Sequence, residues 1–550
     1  MLFSTFIIPA IISLMLPGCF FESSSGTFVQ SAVIAVSPPG SSDTALVSTE
    51  ITASFRDDIN AATLDSAFFL TLNGTPVATT LSYEATTKTA TLTPAPDLLP
   101  GTEYRATIDS SIEDVTGNTP LSSDYVWSFT TSPAMMLVSK NEDGVSGNDL
   151  SSNADIDSTG RYIVFESEAG NLTSVATTFN RLHAYRKDTV SGEVILVSSD
   201  ESGMVEANNA ASNPRLSANG RYVVFESSAT NLVTDITLSP NGPTQIFLKN
   251  LDDHSITLVS RGADMSPDNS VTGSRNARIS DDGQYIVFQS SDPNLSAIDG
   301  GGVVQIYRKD MNDESVEMIS RSAAGVAGNA ASTHPEISAD GRYIVFESMA
   351  TNFTASNGFR NIYYVDTNAT THAVELISLT TTDTEATADS HMPSVSDDGT
   401  TVAFHTIAML DATLDTNGAD DVYLRDRLLP STQLISVNPN TTNSGNAASN
   451  NASIRGNGDY IAFESLASDL VVNDVLGIRD IFVRDYSNTD EIIIDRINLP
   501  ATGDLVTAGA YHPVISSDGR YVSFHSVFSF TNDDADILND VFRAHNNTHP

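Results

Sequence analysis

Imidazole and carboxamide side chains recur at one place in this sequence. Counting seven residues back from Gly160, Gly220, Gly283, Gly341, Gly399, Gly458 and Gly519 gives Asn153, Asn213, Asn276, His334, Met392, Asn451 and His512, with His391 one place before Met392. Six of the seven carry a polar group that can hold a ligand or, through imidazole, a metal ion. An unsatisfied buried amide costs about 1–3 kcal/mol, so each of these groups needs a partner. Either they share a ligand or metal, with His334, His391 and His512 the first residues to test, or each caps its own turn or binds water.

A second chemistry lies in acidic loops. One reads Asp411-Ala-Thr-Leu-Asp415-Thr-Asn417-Gly418-Ala-Asp420-Asp421, and another reads Asn532-Asp533-Asp534-Ala-Asp536-Ile-Leu-Asn539-Asp540. Closely spaced Asp and Asn around a glycine offer oxygen ligands to calcium, and Asp411, Asp415, Asn417, Asp420 and Asp421 are the candidate ligands. The spacing is not that of an EF-hand, and solvated Asx-turns are the alternative. A Gly-x-Ser-x-Gly elbow, a His-Glu-x-x-His pair and a phosphate-binding glycine loop are all missing from the sequence.

These residues must be positioned by a repeat. The seven glycines are spaced by 60, 63, 58, 58, 59 and 61 residues. Each sits in a phrase such as Ile337-Ser338-Ala339-Asp340-Gly341-Arg342-Tyr343-Ile344-Val345-Phe346-Glu347-Ser348. A short apolar strand runs into a turn in which glycine accepts positive φ, and an alternating strand follows. A third strand, such as Gln305-Ile306-Tyr307-Arg308-Lys309-Asp310, and a fourth, such as Leu258 to Ser260, complete the unit. Four short strands per repeat predict a propeller blade. The residues seven before the glycines then enter the innermost strands, at the mouth of the central channel. The seventh repeat lacks a fourth strand, and an orphan phrase, Met136-Leu137-Val138-Ser139, precedes the first. It is expected to complete the last blade, giving seven blades and no exposed edge. The Asp that ends many third strands (Asp188, Asp310, Asp366, Asp426, Asp485) is expected to accept turn amides, and Arg161, Arg221, Arg342 and Arg520 to pair with such carboxylates.

The Ser-x-Asp-Gly-Arg-Tyr-Val-x-Phe phrase resembles the TolB-like, tricorn-like propeller repeat of bacterial extracytoplasmic proteins, from about residue 135 to 550. That resemblance implies a fold and leaves function open, because such propellers serve many roles. Family members with peptidase activity carry a separate hydrolase domain, and peptidase activity is therefore not expected of residues assigned to sandwich and propeller.

Residues 33–133 alternate apolar and polar positions over short stretches, among them Ile51–Phe55, Phe68–Leu72 and Tyr125–Thr130, with turns at Asn73-Gly74 and Pro100-Gly101. This predicts a β-sandwich with Trp127 in its core. The phrases Leu99-Pro100-Gly101-Thr102-Glu103-Tyr104 and Asp114-Val115-Thr116-Gly117-Asn118 resemble the bacterial Ig-like domain of surface proteins. The fold class is therefore all-β: an Ig-like sandwich followed by a seven-bladed propeller closed by an N-terminal strand.

The first 18 residues are read as an export signal. Phe3 to Leu16 is apolar and short, and Leu16-Pro17-Gly18-Cys19 resembles a bacterial lipoprotein box, implying a lipid on Cys19, the one cysteine of the chain. Residues 19–32 form a tether, and Phe20 after the cysteine implies sorting to the outer membrane. With 27 basic and 69 acidic residues the net charge is −42, which repels nucleic acid. The expected protein is a monomeric, extracytoplasmic, lipid-anchored, non-catalytic scaffold for an envelope protein or glycan, with calcium as the one candidate cofactor. The alternative is a polysaccharide lyase or hydrolase with its site at the channel mouth.

Overall fold

A computed structural model describes residues 32–549 apart from 43–44, 179, 241, 263–265, 269–272, 355, 473, 475, 488–490, 501–504 and 535. The chain separates into two compact units, residues 1–132 and 133–550.

The first unit is a sandwich of two four-stranded antiparallel sheets. Val33–Ser37, Ile51–Phe55, Thr89–Pro94 and Thr79–Glu84 are neighbours in one, and Thr75–Pro76, Phe68–Leu72, Glu103–Ile108 and Tyr125–Thr130 in the other. Alternation places Ile51, Ala53 and Phe55 inward, where they meet Leu70, Ala106, Ile108 and Phe129. Trp127 is buried and its ring lies 6.0 Å from that of Phe68. A short helix, Ala61–Ala67, begins at Asn60, whose side chain accepts the Ala62 N–H.

Among the described residues the second unit contains seven four-stranded antiparallel sheets. Blade one runs Ser151–Ile156, Tyr162–Ser167, His183–Asp188 and Val194–Leu196, and the next five repeat this order. The seventh sheet pairs Ala510–Ile515, Tyr521–Ser526 and Asp540–His545 with Met135–Leu137 from ahead of blade one. There Leu137 lies opposite Phe542, and the Val138 N–H donates to the Val541 carbonyl at 2.8 Å. The fourth strands end two residues before the serine that closes each phrase, a place taken by Asn498 in blade six. That serine instead anchors the third strand. Its Oγ accepts the N–H near the start of that strand, as Ser198 does from Ala184 (3.1 Å) and Ser139 from Val541 (3.0 Å).

One contact recurs between neighbouring blades, with Thr401 in the tyrosine's place at Gly458. At Gly220, φ is +71° and an added Cβ would lie 2.2 Å from the Tyr162 ring of the preceding blade. Tyr521 of blade seven stands in the same relation to Gly160 of blade one, at 2.3 Å. The turn glycine is therefore required twice, by backbone conformation and by the tyrosine packed on it. Arg543 of blade seven also donates to the Gly160 carbonyl at 2.7 Å. Between blades the apolar faces interlock, as Val164 of blade one does with Val223, Phe225 and Phe247 of blade two.

Candidate functional site

The ring predicted at the channel mouth is a backbone feature first. Asn153, Asn213, Asn276, His334, Met392, Asn451 and His512 all have φ between 48° and 53°. Each marks the point where the pairing of first and second strands jumps register, as between Ser212 and Arg215. The left-handed conformation penalises most side chains by about 1–2 kcal/mol, and Asn tolerates it best among residues that still carry a side chain. The recurrence of Asn and His therefore has a conformational cause that needs no ligand.

The partners of these residues are carboxylates that sequence reasoning passed over. The Glu in Phe-Glu-Ser of the second strand is buried in blades one, two, four and six (Glu166, Glu226, Glu347, Glu464). It accepts the side chain of the left-handed residue in its own blade: Asn213 Nδ2 to Glu226 Oε1 at 2.9 Å, Asn451 Nδ2 to Glu464 Oε1 at 2.8 Å, and Asn153 Nδ2 to Glu166 Oε1. It also accepts the backbone N–H of the left-handed residue in the next blade. Asn213 donates to Glu166 (2.9 Å), Asn276 to Glu226 (2.8 Å), Met392 to Glu347 (2.7 Å) and His512 to Glu464 (2.9 Å). In blade three Gln289 does the same for the His334 N–H at 3.1 Å. The available signal was a charged residue recurring inside an otherwise buried strand.

The three histidines do not meet. His334 and His391 flank Glu347, with Nδ1 at 3.4 Å and 3.8 Å from its oxygens, and Arg360 approaches the same carboxylate at 3.6 Å. Burial raises the Glu347 carboxyl, but hydrogen bonding to His334 and His391 and the Met392 N–H outweigh it and hold the group well below the usual carboxylate range. His512 lies elsewhere, stacked on His525 with ring centres 5.3 Å apart. Among the described residues, no group of three metal-binding side chains with all ligand atoms within 4.8 Å includes a histidine.

Behind this ring the first strands enclose a cavity of about 140 Å³. Two residues further along them stand Asp155, Arg215, Arg278, Glu336, Ser394, Ser453 and Val514, all in its wall. Most of the charges are matched. Arg278 Nε lies 2.6 Å from Glu336, and Arg455 holds Asp155 through Nη2 while donating to the Ile156 carbonyl at 2.9 Å. Asp281 and Asp397, also in the wall, have no ion-pair partner within 4 Å among the described residues, and neither does Arg215. Arg215 donates to its neighbour's carbonyl, Pro214, at 2.8 Å, and no carboxylate oxygen of a described residue lies within 4 Å of it. Burial, and then Arg278, push its guanidinium down to about 10, so it stays cationic at neutral pH. A planar cation facing a cavity beside a second guanidinium suits a carboxylate, sulfate or phosphate group.

The five residues expected to bind calcium do separate things. Asp411 accepts the Thr413 N–H (3.0 Å), Asn417 accepts the Ala419 N–H (2.7 Å) and donates to the Gly445 carbonyl (2.7 Å). Asp415 and Asp421 are buried, and burial first, with Asp415 adding to it, raises the Asp421 carboxyl to about 8, whereas Asp420 is half-buried. Among the described residues the three-acid group with ligand atoms within 4.8 Å is in blade seven, at Asp534, Asp536 and Asp540. Cys19 lies outside the described residues. The paired charges read as structural are present in part: Arg161 bonds to Asp188 (2.8 Å) and Arg342 to Asp366 (2.7 Å). Arg221 instead reaches Asp252, at 3.0 Å, and Arg520 reaches Asp518, at 3.3 Å.

Residues 29–131 match the model of the bacterial Ig-like domain. Solved structures similar to this chain include TolB from Acinetobacter baumannii (15% identity, 66% of this chain and 79% of that one, TM-score 0.32). The β-propeller domain of the Trilobed protease from Pyrococcus furiosus is similar at 12% identity, over 73% of this chain and 94% of that one, with TM-score 0.44. An oligogalacturonate lyase from Vibrio parahaemolyticus follows at 10%, 76%, 94% and 0.44. No curated protein matches. The molecule defined by its own sheets is an all-β protein that joins a sandwich to a propeller. More particularly, its sandwich lies in the residues that match the bacterial Ig-like domain.

Proposed function

We propose that this protein is a non-catalytic binding module of the bacterial cell envelope, and that it takes an anionic group of an envelope protein or glycan at Arg215 in the propeller channel. The observation that carries this reading is the Arg215 guanidinium, which faces the cavity beside Arg278 with no carboxylate within 4 Å, although Asp281 and Asp397 stand unpaired elsewhere in the same wall. An anion arriving there would exchange water for two guanidinium groups, in a cavity where such bonds are stronger than at the surface. The engagement of His334 and His391 with Glu347, and of His512 with His525, supports a structural duty for the histidines. Calorimetric titration of the purified protein with oligogalacturonate and with an acidic peptide tests the reading: one of them binds, and Arg215→Ala weakens it at least tenfold. Equal affinity in wild type and variant overturns the assignment.

The same proposal includes a lipid on Cys19 and an extracytoplasmic, outer-membrane location. Its support is the apolar run Phe3 to Leu16 ending in Leu16-Pro17-Gly18-Cys19. Among the described residues no helix is long and apolar enough to cross a membrane. Multiple acyl chains would give durable attachment at about 0.8 kcal/mol per buried methylene. Radioactive palmitate is incorporated by the wild type and not by Cys19→Ser; absence of label from both removes the anchor. A second reading, a lyase or hydrolase acting on an acidic polysaccharide, draws on the pairing of His334 and His391 with Glu347. New reducing ends from oligogalacturonate, lost in His391→Ala, would select it.

A further inference from the structure

We infer that Asp534, Asp536 and Asp540 of blade seven form a binding site for one calcium ion. Their carboxylate oxygens all lie within 4.8 Å of one another. Asp534 and Asp540 are 6% and 0% exposed, and Asp534 Oδ1 and Asp540 Oδ2 have no hydrogen-bond partner. The remaining contacts are few. Ser139 Oγ donates to Asp540 Oδ1 at 2.5 Å, and the Leu538 N–H donates to Asp536 at 2.8 Å. The nearby Lys140 is spent on Asp533, at 2.6 Å. Buried carboxylates without a counter-charge are costly, and a cation is the direct remedy.

Two sister blades carry the same pair of acids with different neighbours. In blade six the equivalent acids are Asp474 and Asp480, again six residues apart. Arg496 lies between them, with Nη1 at 3.2 Å from each carboxylate. Arg496 is opposite Phe482 in its sheet, as Leu137 is opposite Phe542 in blade seven. In blade five the acids are Asp415 and Asp421, and Tyr423 donates its hydroxyl to Asp415 at 2.5 Å. Blade seven has leucine where blade six has arginine, and Phe542 where blade five has Tyr423. It also has a third acid, Asp536, where the others have Asn417 and Leu476. Blade seven thus lacks both the guanidinium of blade six and the hydroxyl of blade five, and gains one more oxygen donor. An all-oxygen set with no imidazole or thiolate selects a hard cation, and its irregular loop geometry suits calcium better than the strict octahedron of magnesium. This site also lies on the sheet that Met135–Leu137 completes, because Ser139 orients Asp540.

Chelator-stripped full-length protein, titrated with calcium chloride by calorimetry and with terbium as a luminescent probe, is expected to bind one ion and to gain several degrees in Tm. Asp540→Asn is expected to weaken binding at least tenfold. Leu137→Arg, which places a guanidinium where blade six has one, is expected to abolish binding while the protein keeps its circular dichroism and a calcium-independent Tm. A folded wild type that takes up neither ion at millimolar concentration overturns the site. So does a preference for magnesium over calcium, or binding that Asp421→Asn removes and Asp540→Asn and Leu137→Arg leave intact.

Discussion

Two kinds of joint hold the blades of the propeller together at the channel mouth. In five seams, Glu166, Glu226, Gln289, Glu347 and Glu464 each accept the N–H of the left-handed residue in the next blade. In the other two, His405 and His525 occupy that place, and no bond joins them to the N–H of Asn451 or Asn153 among the described residues. Both imidazoles are buried with Nδ1 unpartnered, one against the His391 ring and one against His512. Yet Asn153 and Asn451 keep their left-handed conformation and still bond to the Glu of their own blade. The asparagine and the glutamate therefore have separate causes. Backbone conformation selects the first, and the neighbouring N–H requires the second.

The largest effect that sharpens this contrast is a response to acid. Burial, helped by the adjacent His391 and His512, lowers His405 to about 4 and His525 to about 3. The unfolded chain protonates both near 6.5, so the stability tied to the neutral rings is complete above that pH and is lost as pH falls toward the folded values. From pH 7 to pH 5 the two sites together are expected to cost about 4 kcal/mol, and the His405→Gln, His525→Gln double variant removes most of that slope in urea unfolding. Equal slopes in both proteins would break the comparison.

Next in size is the loss of a carboxylate joint. Glu226→Ala leaves the Asn276 N–H and the Asn213 amide without their acceptor and is expected to destabilise by about 3 kcal/mol. The same truncation of an exposed acid such as Asp253 is expected to cost well under 1 kcal/mol in the same chemical unfolding assay. The smallest effect is a gain. Gln289 shows that an amide serves in this joint, so His405→Gln alone is expected to raise stability by about 1 kcal/mol at pH 7, read as a higher urea midpoint with unchanged slope.

The blades were legible because their physics repeats. The glycine turn, the alternating Tyr-Ile-Val-Phe strand and the orphan Leu137 phrase each have a local signature, and the sheets are built from them. The Arg161–Asp188 and Arg342–Asp366 pairs were legible too, because turn and strand end are brought together within one blade. Arg221 departs because blade two ends its third strand in Asn250, leaving Asp252 as the nearer acid. The carboxylate joint was hidden because its partners are nearly fifty residues apart in different blades, and one of them is a backbone N–H. In the sandwich, the helix Ala61–Ala67 is too short for periodicity to show, and the strand Thr79–Glu84 is a half-exposed edge of mixed polarity. The acidic loops of blades five and seven look alike as sequence. What separates them is the residue facing each from the third or fourth strand.

The most direct test of the claim that the polar ring is a joint is a substitution series at Asn213, followed by urea unfolding. Glycine suits the left-handed backbone and forfeits only the bond to Glu226, so Asn213→Gly is expected to cost about 1 kcal/mol or less. Asn213→Val loses the same bond and is also strained there, so it is expected to be at least about 2 kcal/mol worse than glycine. Equal losses for glycine and valine would contradict the account, because the side chain rather than the backbone would then be what the position selects.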